Sequence, residues 1–460
     1  MDESQHRPIS RRRVLQLGAV AVPSALLAAC IEPTPRASPP ASATATAAAS
    51  PTATTTPRPT PFASLAPTGR FLYRDAALAD GRSASLQRGV SVLVDGGVIR
   101  WIRPVGGEDD PGDAEVIDAS GATIVPGMVD SHSHVTGPGG ARWIDRFLDP
   151  PERLAEYAEA NGRLAWNAGI RWLRDVGSPV VDDPVDGRHR ALAIGVRDRW
   201  RGRPQFPAIR AAGTWMTRPG ALPAGVGVAA RNGDELLSLA NGQLDDGADL
   251  VKVYFDSSEP SQSAWTLNEV QRVTDAVHAR GAKVAAHVGR IAGVRVAVAG
   301  GVDSVEHGNQ LDADVARDMA ARGTALVTTL TVLRSFVSFG RTTRISTFAG
   351  AGRMAAYADQ LEAVEASVRI ARDAGVTIAA GTDFGGGSSR ANHLAWEVES
   401  LVAAGLEPVD ALAAATWRGG ELLGEPDAGT VREGGPADFF LVHGDPLSDP
   451  AALWRVWRHA

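Results

Sequence analysis

Two histidines separated by one residue end an apolar stretch, Ala122-Thr123-Ile124-Val125-Pro126-Gly127-Met128-Val129-Asp130-Ser131-His132-Ser133-His134. Read as a buried strand, the stretch alternates its side chains between faces, so His132 and His134 point the same way and Ser133 turns away. Two neutral imidazoles on one face at a strand end can ligate a single divalent cation of the zinc type. On its own the motif more often marks a surface or core histidine pair. More residues with ligand chemistry follow. Lys252 lies in the apolar run Leu-Val-Lys-Val-Tyr-Phe at 250–255, His287 closes 284–287, His307 closes 305–307, and Asp383 closes 379–383.

Each has an ordinary reading when taken singly. His287 fits a hydrogen-bonded core histidine, and Asp383 fits a helix cap. A buried, unpaired Lys252 would be costly, so its ordinary reading requires a carboxylate partner such as Glu306. Their shared position gives the set its meaning, and that depends on the elements that carry them.

Strand-like runs recur at 170–177, 207–213, 250–255, 283–288, 304–308, 325–330 and 377–383, making eight with the histidine strand. Helical patterns separate most of them, for example 267–280 behind Thr266 as N-cap. Eight alternating units predict a (β/α)8 TIM barrel, an α/β fold whose active face lies at the carboxyl ends of its strands. His134, Lys252, His287, His307 and Asp383 all fall at or near such ends. A doubly wound open sheet is the alternative, but no Gly-x-Gly-x-x-Gly opens a helix after a strand. The long connections 214–232 and 331–352 read as loops over the site.

The flanks read differently. Short β-like runs at 89–94 and 97–102 are joined through Asp95-Gly96, a hairpin signal. Another strand is expected at 437–442, after a turn-rich 429–435. Neither end supplies enough strands for independent stability, so both should join one small β-sandwich, 67–124 with 425–460, around a barrel spanning 125–424.

Ahead of these lies a targeting segment. Ser10-Arg11-Arg12-Arg13-Val14-Leu15 resembles a twin-arginine export signal and opens an apolar run ending in Leu27-Ala28-Ala29-Cys30, which is similar to a bacterial lipobox. Cys30 is the only cysteine, so no intramolecular disulfide and no further thiolate ligand are available. The expectation is a signal over 1–30, lipidation at Cys30, and a lipid anchor at the outer face of a bacterial membrane. The Pro-, Thr-, Ala- and Ser-rich stretch 31–66 has too little apolar surface to offset ordering and reads as a stalk reaching roughly 100 Å. Across 460 residues, a 44% hydrophobic fraction supports a sizeable core, while a net charge of -7 without a basic aromatic patch argues against nucleic acid as partner.

The order His-x-His, Lys, His, His, Asp at strands one, four, five, six and eight resembles the amidohydrolase superfamily, in the binuclear subgroup whose lysine is carboxylated. Segments 246–254, 277–287 and 301–308 are similar to the branch that contains imidazolonepropionase and peptidases cleaving Xaa-Pro dipeptides or C-terminal Arg and Lys. The resemblance covers about 71–446 and implies that His132, His134, Asp383 and a Lys252 carbamate hold one divalent cation. His287, His307 and the same carbamate would hold a second, with zinc expected at both. It further implies a metal-bridging hydroxide as nucleophile, with Asp383 as base and then acid. Tyr254, two residues after Lys252, is a candidate for a substrate oxyanion or carboxylate, with packing under a loop an equal reading; Arg218 in 215–220 is a candidate for a substrate carboxylate, with a solvated loop arginine the plainer reading. Asp175 reads as structural.

The expected activity is therefore metal-dependent hydrolysis of amide or peptide bonds in a short peptide or N-acyl amino acid. The alternatives are a cyclic amide or lactone hydrolase and a non-catalytic ligand-binding surface lipoprotein. A homo-oligomer is left open.

Overall fold

The computed structural model describes residues 69–345 and 349–460. The export signal, Cys30 and the stalk to residue 66 lie outside the described residues. Eight parallel strands form the central layer, in the order Met128–Ser133, Ile170–Asp175, Ala208–Thr217, Leu250–Tyr254, Lys283–Val288, Ser304–His307, Ala325–Thr328 and Ile378–Ala380. The seam between the last and the first is closed just past their ends, where Asp383 N donates to His132 O (2.8 Å) and His134 N to Phe384 O (2.9 Å). The closed, helix-wrapped layer is the predicted (β/α)8 barrel.

Side-chain parity follows from strand geometry. Val251 and Val253 belong to the large apolar cluster packed against the helices. Leu250 meets Ala212 and Ala285 inside the barrel. Lys252 therefore points inward, and by the same alternation His287 follows Ala285 onto the interior face. The outer helices are fixed by local signals. Leu267–Ala279 begins in a capping box, with the Thr266 side chain accepting from Glu269 N and the Glu269 side chain accepting from Thr266 N. Leu330–Thr342 is also a helix, where the sequence reading expects an open loop. Its first turn is capped from outside by the buried Glu397 carboxylate, which accepts from Leu330 N (3.0 Å) and Thr331 N (2.7 Å). Among the described residues no helix is long and apolar enough to cross a membrane.

The expected single strand 122–134 is two strands. Ala122–Pro126 belongs to the terminal sheet and Met128–Ser133 to the barrel. Pro126 has no N–H for a ladder, and Gly127 turns the chain with its N–H on Asp438 O (2.8 Å). A Cβ at Gly127 would meet Arg171 Cγ at 2.4 Å, so only glycine fits.

Both chain ends do meet in one β layer, with Phe439–His443 pairing antiparallel to Ala122–Pro126. Its hydrogen bonding makes one continuous seven-stranded sheet instead of two separate sheets. Arg70–Leu78 runs through its middle, pairing with Glu115–Asp118 along its first half and with Ala122–Pro126 at its far end. The hairpin expected at Asp95-Gly96 joins Gln87–Asp95 to Val98–Pro104, with Gly96 (φ 60°) and Gly97 (φ 77°) in the left-handed region that such two-residue turns require.

Candidate metal centre

His132, His134 and Asp383 present ligand atoms within 4.8 Å of one another, all three side chains buried. His134 Nε2 lies 3.1 Å and His132 Nε2 3.5 Å from Asp383 Oδ1. The other ring nitrogens fix the tautomers. His134 Nδ1 faces Gly177 O at 2.9 Å, and a carbonyl can only accept. His132 Nδ1 faces Glu306 Oε2 at 2.7 Å. Both Nδ1 atoms therefore carry the hydrogen, and both Nε2 lone pairs are directed towards the Asp383 carboxylate. Asp383 Oδ1 is buried and accepts no hydrogen bond. Three acceptors meeting without a proton between them repel one another, and a cation among them removes that repulsion. The donor set fits a divalent metal of zinc type.

A second cluster adjoins the first. His307 Nε2 and His287 Nδ1 are 3.0 Å apart, and His307 Nδ1 is 2.7 Å from Thr329 Oγ1. The His132 and His307 rings are 4.7 Å apart, which makes the clusters neighbours. Alternation along Ser304–His307 would send His307 outward with Val305. Its left-handed backbone (φ 69°) returns the ring to the interior. Asp383 is also left-handed (φ 50°). Such conformations cost non-glycine residues about 1–3 kcal/mol and persist where surrounding structure holds them.

Lys252 Nζ is buried at the same level and has no hydrogen-bond partner. Glu306, the carboxylate expected to pair with it, is engaged elsewhere. Arg174 Nη2 donates to both Glu306 oxygens (2.7 and 2.8 Å), and the Ser304 hydroxyl and His132 Nδ1 take one further position on each oxygen. Burial lowers the Lys252 amine to about 8. Burial, together with the charge of Lys252, also holds His132 and His287 well below the ordinary imidazole range, and His307 falls to about 4. These rings are neutral ligands at physiological pH. Burial opposes ionisation of Asp383, and positive charge at the His132 and His134 positions, which a bound cation would supply, is what holds the carboxylate below its ordinary range.

Three supporting residues escaped the sequence reading: Arg174, Asp130 and Gly386. The signal for the first two was a charged residue at a buried strand position. Asp130 accepts from Thr382 N (3.0 Å), Thr382 Oγ1 (2.6 Å) and His132 N (3.2 Å), pinning the last strand end to the first. Gly386 is invisible to such a criterion. A Cβ there would sit 2.5 Å from Asp383 Oδ1 and 2.6 Å from His134 Cδ2, inside the ligand cluster. Asp175 supports the His134 loop, accepting from Val135 N (2.6 Å) and Gly177 N (3.0 Å).

The two substrate candidates separate. Tyr254 lies against the centre, its ring stacked on His287 at 3.9 Å between centroids. The Arg218 guanidinium is already occupied. It donates to Ala264 O (2.8 Å), Arg231 O and Glu269 (3.2 Å), and packs over Trp265. Connection 214–232 is also shorter than expected, because the third strand continues to Thr217 and pairs Trp215 with Lys252.

Neutral histidines and carboxylates gathered around an unpartnered lysine at the carboxyl end of a barrel define a metal-dependent hydrolase. A model of the amidohydrolase family matches residues 123–457. A protein of Mycobacterium tuberculosis is 30% identical over 367 residues, covering 78% of this chain and 87% of its own length. Ochratoxinase of Aspergillus niger is 28% identical over 371 residues, covering 73% and 74%. Among solved structures, a Xaa-Pro dipeptidase with methionine bound in its active site matches with a TM-score of 0.71 at 26% identity, over 84% of this chain and 97% of that one. The chain belongs to the amidohydrolase family.

Proposed function

We propose that this enzyme hydrolyses the amide bond between an acyl group and an α-amino acid, as in dipeptides and N-acyl amino acids. One observation carries the reading: the unpartnered Lys252 Nζ lies within electrostatic reach of both ligand clusters, His132 and Asp383 on one side and His287 and His307 on the other. The relative that is a Xaa-Pro dipeptidase, with an amino acid in its active site, supports a peptide-like substrate.

His132, His134 and Asp383 would hold one divalent cation and His287 and His307 another, with Lys252 as its carbamate between them. Cations bound there supply Lewis acidity towards the scissile carbonyl and bring the pKa of water towards about 7. With its amine at about 8, Lys252 is neutral in roughly a fifth of molecules at pH 7.4. Addition of CO2 to that amine forms an N–C bond, releases a proton and leaves an anion with two ligand oxygens. Arg174 holds Glu306, and Glu306 holds the His132 ring with its Nε2 lone pair presented. The ionised Asp383 carboxylate accepts a proton from attacking water and returns it to the departing amine nitrogen.

The test is turnover of a dipeptide and N-acyl-amino-acid library by purified protein of known metal content. The reading expects turnover that falls on chelation and returns with a divalent cation. Turnover confined to lactams or lactones would overturn it.

We also propose that the enzyme is exported and tethered by lipid at Cys30, a reading supported by the arginine-rich start and the Leu-Ala-Ala-Cys run. Lysine at both Arg11 and Arg12 should retain the protein in the cytoplasm, and unchanged export contradicts this.

A further inference from the structure

Among the described residues six arginines are buried: Arg171, Arg174, Arg190, Arg197, Arg210 and Arg290. A buried guanidinium cannot shed its charge, so each needs an anion or several carbonyls to offset desolvation. Five have a carboxylate at ion-pair distance, namely Asp438 (3.3 Å), Glu306 (2.7 Å), Asp186 (2.6 Å), Asp249 (2.7 Å) and Asp249 again (3.3 Å) in that order. Arg290 is the exception. Its Nη1 donates to Ser257 O at 2.5 Å, and its Nε is buried without a partner. The nearby Asp256 feels the Arg290 charge but makes no hydrogen bond to the guanidinium; its oxygens accept the backbone N–H groups of Gly289 (2.9 Å) and of Arg290 itself (3.1 Å).

Its place in the barrel gives this deficit a use. Arg290 lies in the connection leaving the fifth barrel strand, three residues beyond His287. Ser257 lies three residues beyond Tyr254, in the connection leaving the fourth. The guanidinium thus bridges the two loops that continue from the stacked Tyr254–His287 pair, on the active face of the barrel. A guanidinium whose Nε lacks an acceptor keeps a donor for a carboxylate. The other arginine considered for that task, Arg218, is saturated by Glu269 and two carbonyls.

We propose that Arg290 receives the free carboxylate of the substrate, so that the enzyme selects amides whose leaving amine is an α-amino acid with an unblocked carboxylate. The inference rests on the amide-hydrolase reading above and narrows its substrate class. It takes nothing from the metal ligands themselves.

The experiment compares metal-replete wild type, Arg290→Met and Arg290→Lys on N-acyl amino acids and on the same compounds with the carboxylate blocked as a carboxamide. Calorimetric titration with the free amino acids runs in parallel. Wild type should prefer the free acid by roughly 100-fold in kcat/KM. Arg290→Met should lose that preference through KM, its loss on the free acid far exceeding its loss on the carboxamide, and Arg290→Lys should regain part of the preference. A methionine variant that keeps the preference, or one that loses acids and carboxamides alike, overturns the proposal. Arg290-dependent amino-acid binding without amide turnover would sink the hydrolase reading and leave the role of Arg290 standing. Amide turnover with no preference for the free carboxylate would do the reverse.

Discussion

The two halves of the metal centre are built to different degrees of completion. In the half formed by His132, His134 and Asp383, each histidine has its second nitrogen fixed by the protein, through Glu306 and through Gly177 O, and the lone pairs converge without help. In the half formed by His287, His307 and Lys252, Thr329 holds one nitrogen of His307, but its other nitrogen faces His287 and the lysine contacts nothing by hydrogen bond. The first half is preorganised; in the second an unpartnered amine stands beside two rings that are in contact with each other. A carbamate on Lys252 would supply an anion and separate the two rings.

The sharpest way to break this contrast is Asp383→Asn. An amide cannot take the proton from water, so turnover should fall by about 10²–10⁴-fold while the fold persists. Steady-state kinetics on purified variant decides it, and activity within tenfold of wild type would remove Asp383 from the chemistry. Lys252→Ala should act on one half only. Metal content should drop from two equivalents towards one, turnover should follow, and a short carboxylic acid added to the buffer should restore part of both. Full activity in that variant would end the carbamate account.

Gly386→Ala probes the preorganised half by space alone. Its backbone is not left-handed, yet the new methyl would lie against Asp383 Oδ1 and His134 Cδ2. Cation affinity at that half should weaken by about 10–100-fold in competition with a chromogenic chelator, with little change in thermal unfolding of the metal-free protein. Equal affinity would mean that the ligands sit elsewhere.

A stability slope probes Lys252 without any metal. In protein stripped of metal and CO2, the folded-state pKa of Lys252 is about 8 against 10.5 for an ordinary lysine. Between those values the unfolded chain holds a proton that the folded chain has lost, so stability should rise with pH from 8 to 10, by about 3 kcal/mol at most. Below pH 8 the buried ammonium penalises the fold in full. Lys252→Met should flatten this part of the curve in denaturant titrations, and an unchanged slope would place the amine in contact with water.

Much of this was legible in the sequence because strands announce themselves by composition and their ends by polar residues. The eight barrel strands, the capping box at Thr266 and the Asp95-Gly96 hairpin are local signals, and local signals survive folding. What stayed hidden depends on distant partners. Nothing near Gly127 foretells that Arg171 and Asp438 would break one expected strand into two. Helix Leu330–Thr342 is capped by Glu397, 67 positions from Leu330, so its start has no adjacent cap to read. Glu306 was the natural partner for Lys252 by proximity in type and place, but Arg174 from another strand outcompetes the lysine with a two-pronged contact. Arg218 looked available because its acceptors, Ala264 O, Arg231 O and Glu269, come from three separate segments. Gly386 carries no chemistry of its own and matters only for the space it leaves.

The most direct test of the two-cluster centre is elemental analysis of fully active protein purified without added chelator. Two divalent cations per chain is the result expected of ligand sets joined through Lys252. Full activity with no divalent cation, or with one that remains after Lys252→Ala without loss of rate, would contradict it.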